Sequence, residues 1–135
     1  GVLRAVGENA PRLHFCSLVE DPAGSSDHAA ALHADGVGTK GISAYLAWKE
    51  TGSTRWFRGL ARDSLVMNLD DIACVNLFDG LLLSNTIGRN LQLVPDEIVR
   101  ELIEGYRELV DELEPLGITI RLAGGETADL GDLVR

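Results

Sequence analysis

Residues Pro95 to Glu114 set the tightest constraint on how this chain folds, because they form one long amphipathic pattern bounded on both sides by short apolar runs. Ile98, Val99, Leu102, Ile103, Tyr106, Leu109, Val110 and Leu113 recur at close to 3.6 residues, the period of a helix with one buried side. Arg100, Glu101, Glu104, Arg107, Glu108 and Asp111 fall on the opposite, solvated side. Pro95 and Asp96 open the helix, since proline tolerates the first turn and acids favour the positive end of the helix dipole. Pro115 and Gly117 close it. A helix with a single apolar stripe needs a partner layer. The apolar runs Leu81–Ser84 before it and Ile118–Ala123 after it read as strands that supply one.

The remaining segments extend this plan. Leu13–Glu20 and His28–Ala34 read as strands, separated by the turn cluster from Asp21 to Ser26. Ile42–Glu50 reads as a short helix burying Ile42, Tyr45, Leu46 and Trp48, and Trp56 and Phe57 read as packing anchors. Leu60–Leu77 reads as a helix apolar on most sides, which predicts burial. The expected order is β-β-α-α-β-α-β: an α/β (α+β) domain with a small mixed sheet of about four strands and helices on one face. At 135 residues this is a single domain, residues 1–135, with enough chain for a real core.

Composition narrows the function classes. Twelve basic against 21 acidic side chains give a net charge of −9, which argues against a nucleic-acid partner because backbone binding needs a cationic face. No apolar run reaches the roughly 18–20 residues of a membrane span, and no leader-like segment opens the sequence, so a cytoplasmic protein is expected. Cys16 and Cys74 lack partners at metal-binding spacing and read as structural thiols.

Chemistry concentrates in three acidic stretches. The first, Asp35-Gly36-Val37-Gly38-Thr39-Lys40, delivers a carboxylate into a loop whose glycines allow backbone N–H groups to approach a polyanion. Its glycine spacing matches neither the phosphate-binding loop that ends in Gly-Lys-Ser/Thr nor the dinucleotide fingerprint. The second is Asn68-Leu69-Asp70-Asp71, where adjacent acids on an apolar helix are costly unless paired or metal-bound. The third is Gly124-Gly125-Glu126-Thr127-Ala128-Asp129, read as a loop after the last strand. Carboxylates from three elements suit a Mg²⁺–phosphate site, with Asp35, Asp70, Asp71 and Glu126 as candidate ligands. Gly36, Gly38, Thr39, Lys40, Gly124, Gly125 and Thr127 are the candidate nucleotide contacts. His33 shares a strand face with Asp35, and a packed strand histidine competes there with a site role. His14 and His28 carry no pattern of their own. Arg89 reads either as a phosphate contact or as half of a surface ion pair.

In order and spacing, Asp35–Lys40, Met67–Ile72 and Gly124–Ala128 together resemble the amino-terminal domain of aminoimidazole ribonucleotide synthetase, or phosphoribosylformylglycinamidine cyclo-ligase. The likeness runs from about His28 onward. Trp48–Gly52, Ser84–Asn90 and Gly125–Arg135 are similar to a divergent Bacteroidetes-type branch of it. The resemblance implies an ATP-binding and dimerisation domain whose sheet pairs with its twin into a dimer barrel, followed by a carboxy-terminal domain that this chain lacks. It implies ATP and Mg²⁺ as cofactors and a ribonucleotide substrate. The implied reaction is phosphorylation of an amide oxygen, then ring closure, which needs positioning and charge neutralisation rather than a protein nucleophile. No catalytic side chain is singled out, and a lone fragment is expected to be inactive. Asp70 stands where the family has Asn, Asn76–Asp79 replaces a Gly-Ala-x-Pro run, and Leu83-Ser84-Asn85 lacks the usual strand carboxylate. Sibling enzymes of the selenophosphate synthetase, thiamine-monophosphate kinase or hydrogenase-maturation type are the alternative, as is a non-catalytic dimerisation module.

Overall fold

A computed structural model describes residues 16–134. The expected strand from Leu13 falls partly outside them, as do His14 and Arg135. In chain order the elements are β1 (Leu18–Glu20), β2 (Ala29–Ala31), α1 (Lys40–Thr51), α2 (Arg55–Ala73), β3 (Leu81–Arg89), α3 (Asp96–Leu113) and β4 (Ile120–Asp129). Short 3-10 turns follow α3 at Glu114–Leu116 and β4 at Gly131–Leu133.

The α/β class holds, but the strands form two separate ladders rather than one four-stranded sheet. β1 and β2 make an antiparallel hairpin, and β3 and β4 a parallel pair. The hairpin turn is held by Asp21, whose carboxylate accepts from the N–H groups of Ala23 and Ser25, an Asx-type closure. β2 pairs over only three residues, and just beyond it Leu32 is 92% exposed, so the hairpin never reaches β3.

Both β3 and β4 run further than their sequence suggests. Leu81↔Ile120 opens the register and Arg89↔Asp129 closes it, with a bulge between Leu83 and Ser84 where Ala123 is the extra residue. The polar run Thr86–Arg89 and the glycine-rich run Gly124–Asp129 are therefore strand, not loop. A partner backbone satisfies their N–H and C=O groups, and this outweighs their weak intrinsic strand preference. Gly125 is required there, since a Cβ would lie 2.1 Å from the Asn85 carbonyl oxygen. Alternate β3 side chains (Leu83, Asn85, Ile87) face the helices half-buried, while Leu82, Ser84 and Thr86 stay exposed. The helices thus cover one face of β3 and the start of β4 at Ile120, while Arg121–Thr127 of β4 is exposed throughout.

The core lies where α2 crosses α3. Ala61 and Leu65 meet Tyr106 and Leu109, and a second cluster joins Ala44 of α1 to Phe57 and Ile98. Gly105 permits the close crossing: a Cβ there would lie 2.6 Å from the Arg58 carbonyl oxygen and 2.9 Å from the Ala61 Cβ. At the rim, Arg58 donates to Glu101 and Glu108, and Arg62 pairs with Glu112 through two bonds. α2 is shorter than the expected 60–77 span at its C-terminal end and is buried on one side only. Val66 and Met67 are exposed, because only α1 and α3 cover it. α1 likewise buries Ala44 and half-buries Tyr45 and Trp48, leaving Ile42 and Leu46 exposed beside a cavity. No helix among the described residues is long and apolar enough to cross a membrane.

Candidate functional site

The glycine loop is docked, not free. It leaves β2 at Ala31 and enters α1 at Lys40, with Gly38 at φ +53°, in the left-handed region that glycine tolerates. Asn68 of α2 clamps its start. The Asp35 N–H donates to Asn68 Oδ1 at 2.9 Å, and Asn68 Nδ2 donates back to the Asp35 carbonyl at 3.2 Å. The same Nδ2 reaches the Ser64 carbonyl one turn back, fixing the amide on its own helix. Asp35 Oδ1 accepts from the Gly36 N–H at 2.7 Å, which sets the carboxylate against the loop backbone.

Asp71 follows Asn68 by three residues, so both sit on one face of α2. His33 precedes Asp35 by two along an extended segment, so both project to one side. The loop and helix thereby bring His33, Asp35 and Asp71 together, with one donor atom from each lying within 4.8 Å of the others. His33 Nε2 is 3.0 Å from Asp71 Oδ2. Although close, the pair is not aligned as a hydrogen bond, and this inaccessible nitrogen has no hydrogen-bond partner among the described residues. The side chains of His33 and Asp71 are only 13% and 29% exposed. Two carboxylates held near each other repel, and each is a hard oxygen donor, so the donor set fits a divalent cation that relieves the repulsion.

The other predicted residues lie elsewhere. Asp70 is exposed and outside this group; its carbonyl accepts from Cys74 Sγ. Lys40 begins α1 with its Nζ 3.3 Å from Asp63 Oδ2, both half-exposed, and Thr39 makes no side-chain cap. Gly124, Gly125, Glu126 and Thr127 lie within β4. Glu126 pairs in register with Thr86, on the exposed face of the ladder, and is not a member of the His33 group. Asp35 and Asp71 are thus brought together, and Asp70 and Glu126 are not. Arg89 donates to the Val94 carbonyl and pairs with Asp96. Cys16 is buried and Cys74 exposed, both as free thiols.

A cavity of about 920 Å³ opens beside the loop, between Leu32–Gly38, α1 and β3. Its walls are mainly apolar, and Asn68, Asn85 and Arg89 supply polar points. Its floor includes Tyr106, whose hydroxyl is pushed above its ordinary pKa by burial, while bonds with Ser64 and Asn85 oppose that rise. Asn68 was present in the sequence motif but not recognised as a site residue. Its i,i+3 relation to Asp71 was the available signal. A family model described as AIR synthase related protein, N-terminal domain, matches residues 16–134. No curated protein matches the chain.

Proposed function

The chain belongs to the AIR synthase related protein family as an N-terminal domain, and on that premise we propose that it is the nucleotide- and metal-binding half of a cyclo-ligase. The reaction is the ATP-dependent conversion of formylglycinamidine ribonucleotide to aminoimidazole ribonucleotide. The amide oxygen takes the γ-phosphoryl group of ATP, ADP leaves, and the ring-forming nitrogen then displaces phosphate from carbon. What carries the reading is the meeting of Asp35 and Asp71, from two separate elements, at the base of a glycine loop.

Asp35 and Asp71 would hold Mg²⁺, which when bound neutralises phosphoryl charge. The backbone N–H groups of Val37 and Gly38 would meet the phosphates, while the Gly36 N–H stays with Asp35 Oδ1. Asn68 positions Asp35 and so sets the distance between loop and helix. Lys40 exchanges Asp63 for a phosphate at little cost, because a half-exposed ion pair is worth little. The apolar cavity beside the loop has the volume of a small-molecule site and takes the nucleotide or ribonucleotide. In the same reading a carboxy-terminal domain of the parent protein completes the pocket, the protein works in the cytoplasm, and the exposed face of the β3–β4 ladder joins a second copy. Gly124 and Glu126, in register with the exposed Ser84 and Thr86, then belong to that shared face, whereas Gly125 and Thr127 pair with the helix-facing Asn85 and Ile87.

The test is titration of the chain with ATP, with and without Mg²⁺, followed by the amide resonances of Gly36 and Gly38. Mg²⁺-dependent shifts at millimolar nucleotide that disappear in Asp71→Asn are expected. Shifts indifferent to Mg²⁺, or retained in the variant, would refute the assignment.

A further inference from the structure

The donor group contains a feature that a pure magnesium site does not need: a nitrogen. Magnesium selects oxygen donors, whereas imidazole suits transition ions. His33 Nε2 lies 3.0 Å from Asp71 Oδ2, matching the separation of neighbouring donors around one octahedral ion with bonds of about 2.1 Å. That nitrogen is inaccessible and has no hydrogen-bond partner among the described residues, an unfavourable state that an ion bound between loop and helix would remove. A packed structural histidine would have aligned its N–H on the adjacent carboxylate. This one has the proximity without the alignment.

Resting on the reading of this site as a cation–phosphate site, we propose that His33 Nε2 is a direct ligand and that the site selects Mn²⁺ over Mg²⁺. Manganese accepts one imidazole alongside carboxylates and keeps an octahedral sphere with positions open for phosphate oxygens. Zinc binds imidazole more strongly, but its tetrahedral preference leaves fewer such positions. Asp35 and Asp71 supply the charge, and His33 supplies the discrimination. The three donors come from two elements locked together by Asn68, so the spacing is fixed before the ion arrives.

The experiment is Mn²⁺ titration of the chain followed by electron paramagnetic resonance, with Mg²⁺ as competitor. Electron spin-echo modulation of the bound ion reports nitrogen coordination directly in the wild-type protein, whatever the fate of any variant. The expected results are tighter binding of Mn²⁺ than of Mg²⁺ and ¹⁴N modulation from a coordinated imidazole. In His33→Gln the modulation disappears and Mn²⁺ affinity falls about tenfold or more, while Mg²⁺ affinity changes little. His28 does not confuse the signal, because its Nδ1 is engaged by Ser25 Oγ at 2.8 Å and it lies outside the donor group. Failure to bind Mn²⁺, absence of nitrogen modulation, or the same Mn²⁺/Mg²⁺ ratio in His33→Gln would overturn the proposal. Bound Mn²⁺ without nitrogen modulation overturns this proposal and leaves the cation–phosphate reading of the site standing. Loss of Mg²⁺-dependent ATP binding removes the functional reading beneath it.

Discussion

Asn68 acts on the loop as a neighbouring strand would, accepting from one backbone N–H and donating to the carbonyl of the same residue, Asp35. The backbone that carries the Asp35 carboxylate is therefore held by a side chain outside the His33–Asp35–Asp71 donor group. Truncation in Asn68→Ala should leave the helices folded, because the amide lies outside both core clusters. Metal–nucleotide affinity should fall by about tenfold or more, as for other residues that orient ligands. Calorimetric titration measures the loss, and faster hydrogen exchange at the Asp35 amide shows that the clamp has opened; unchanged affinity with faster exchange would mean that the loop needs no clamp. At this scale the sequence was partly legible. Asp35 and Asp71 are recognisable as short motifs, and their carboxylates suit a hard cation. Which of Asp70 and Asp71 faces the loop depends on the rotation of α2, fixed by packing of Phe57, Ala61 and Leu65 rather than by the motif.

Among the elements, α3 was the most legible and the strands the least. A long helix announces itself through an eight-residue apolar stripe, and α3 spans Asp96–Leu113 as its period requires. β3 and β4 extend into polar and glycine-rich residues because each lends the other a hydrogen-bonding edge, information that neither segment carries alone. Glu126 moves from an expected loop into an outward-facing strand position for that reason. The α2–α3 crossing gives a paired test. Gly105→Ala gains helix propensity but drives a Cβ into the Arg58 carbonyl and Ala61, and should destabilise by about 1–2 kcal/mol. Gly59→Ala, on the exposed side of α2 with open space at its Cβ, should stabilise by about 0.5–1 kcal/mol. Chemical denaturation measures both. A stabilised Gly105→Ala would mean that the helices are less closely apposed than described.

Over the whole molecule, helices cover one face of β3 and the start of β4 at Ile120, while the opposite face of β3 and the stretch Arg121–Thr127 of β4 lie open. Leu82 is 70% exposed there, flanked by Ser84 and Thr86 on the same side, beside two ladder edges that pair with no other strand among the described residues. An uncovered face of this kind is a natural seat for a second copy, and the dimer proposal locates the contact on it. Light scattering at tens of micromolar should give twice the chain mass, and Leu82→Asp should return the monomer without loss of helix content. A wild-type monomer under those conditions would contradict the proposal. Fold class and helix layering were readable from pattern. The division into two ladders was not, because it depends on how far the β1–β2 hairpin stands from β3, a tertiary distance that no local pattern encodes.

The account depends most on Asp35 and Asp71 gripping the same ion, and a double-mutant cycle on Mg·ATP affinity measures that dependence most directly. Calorimetry of the wild type, Asp35→Asn, Asp71→Asn and the double variant should show about tenfold or greater loss in each single variant. The double variant should then lose little more, because the ion site has already gone. Losses that simply add, as they do for residues about 7–10 Å or more apart, or single variants that keep wild-type affinity, would contradict a shared ion.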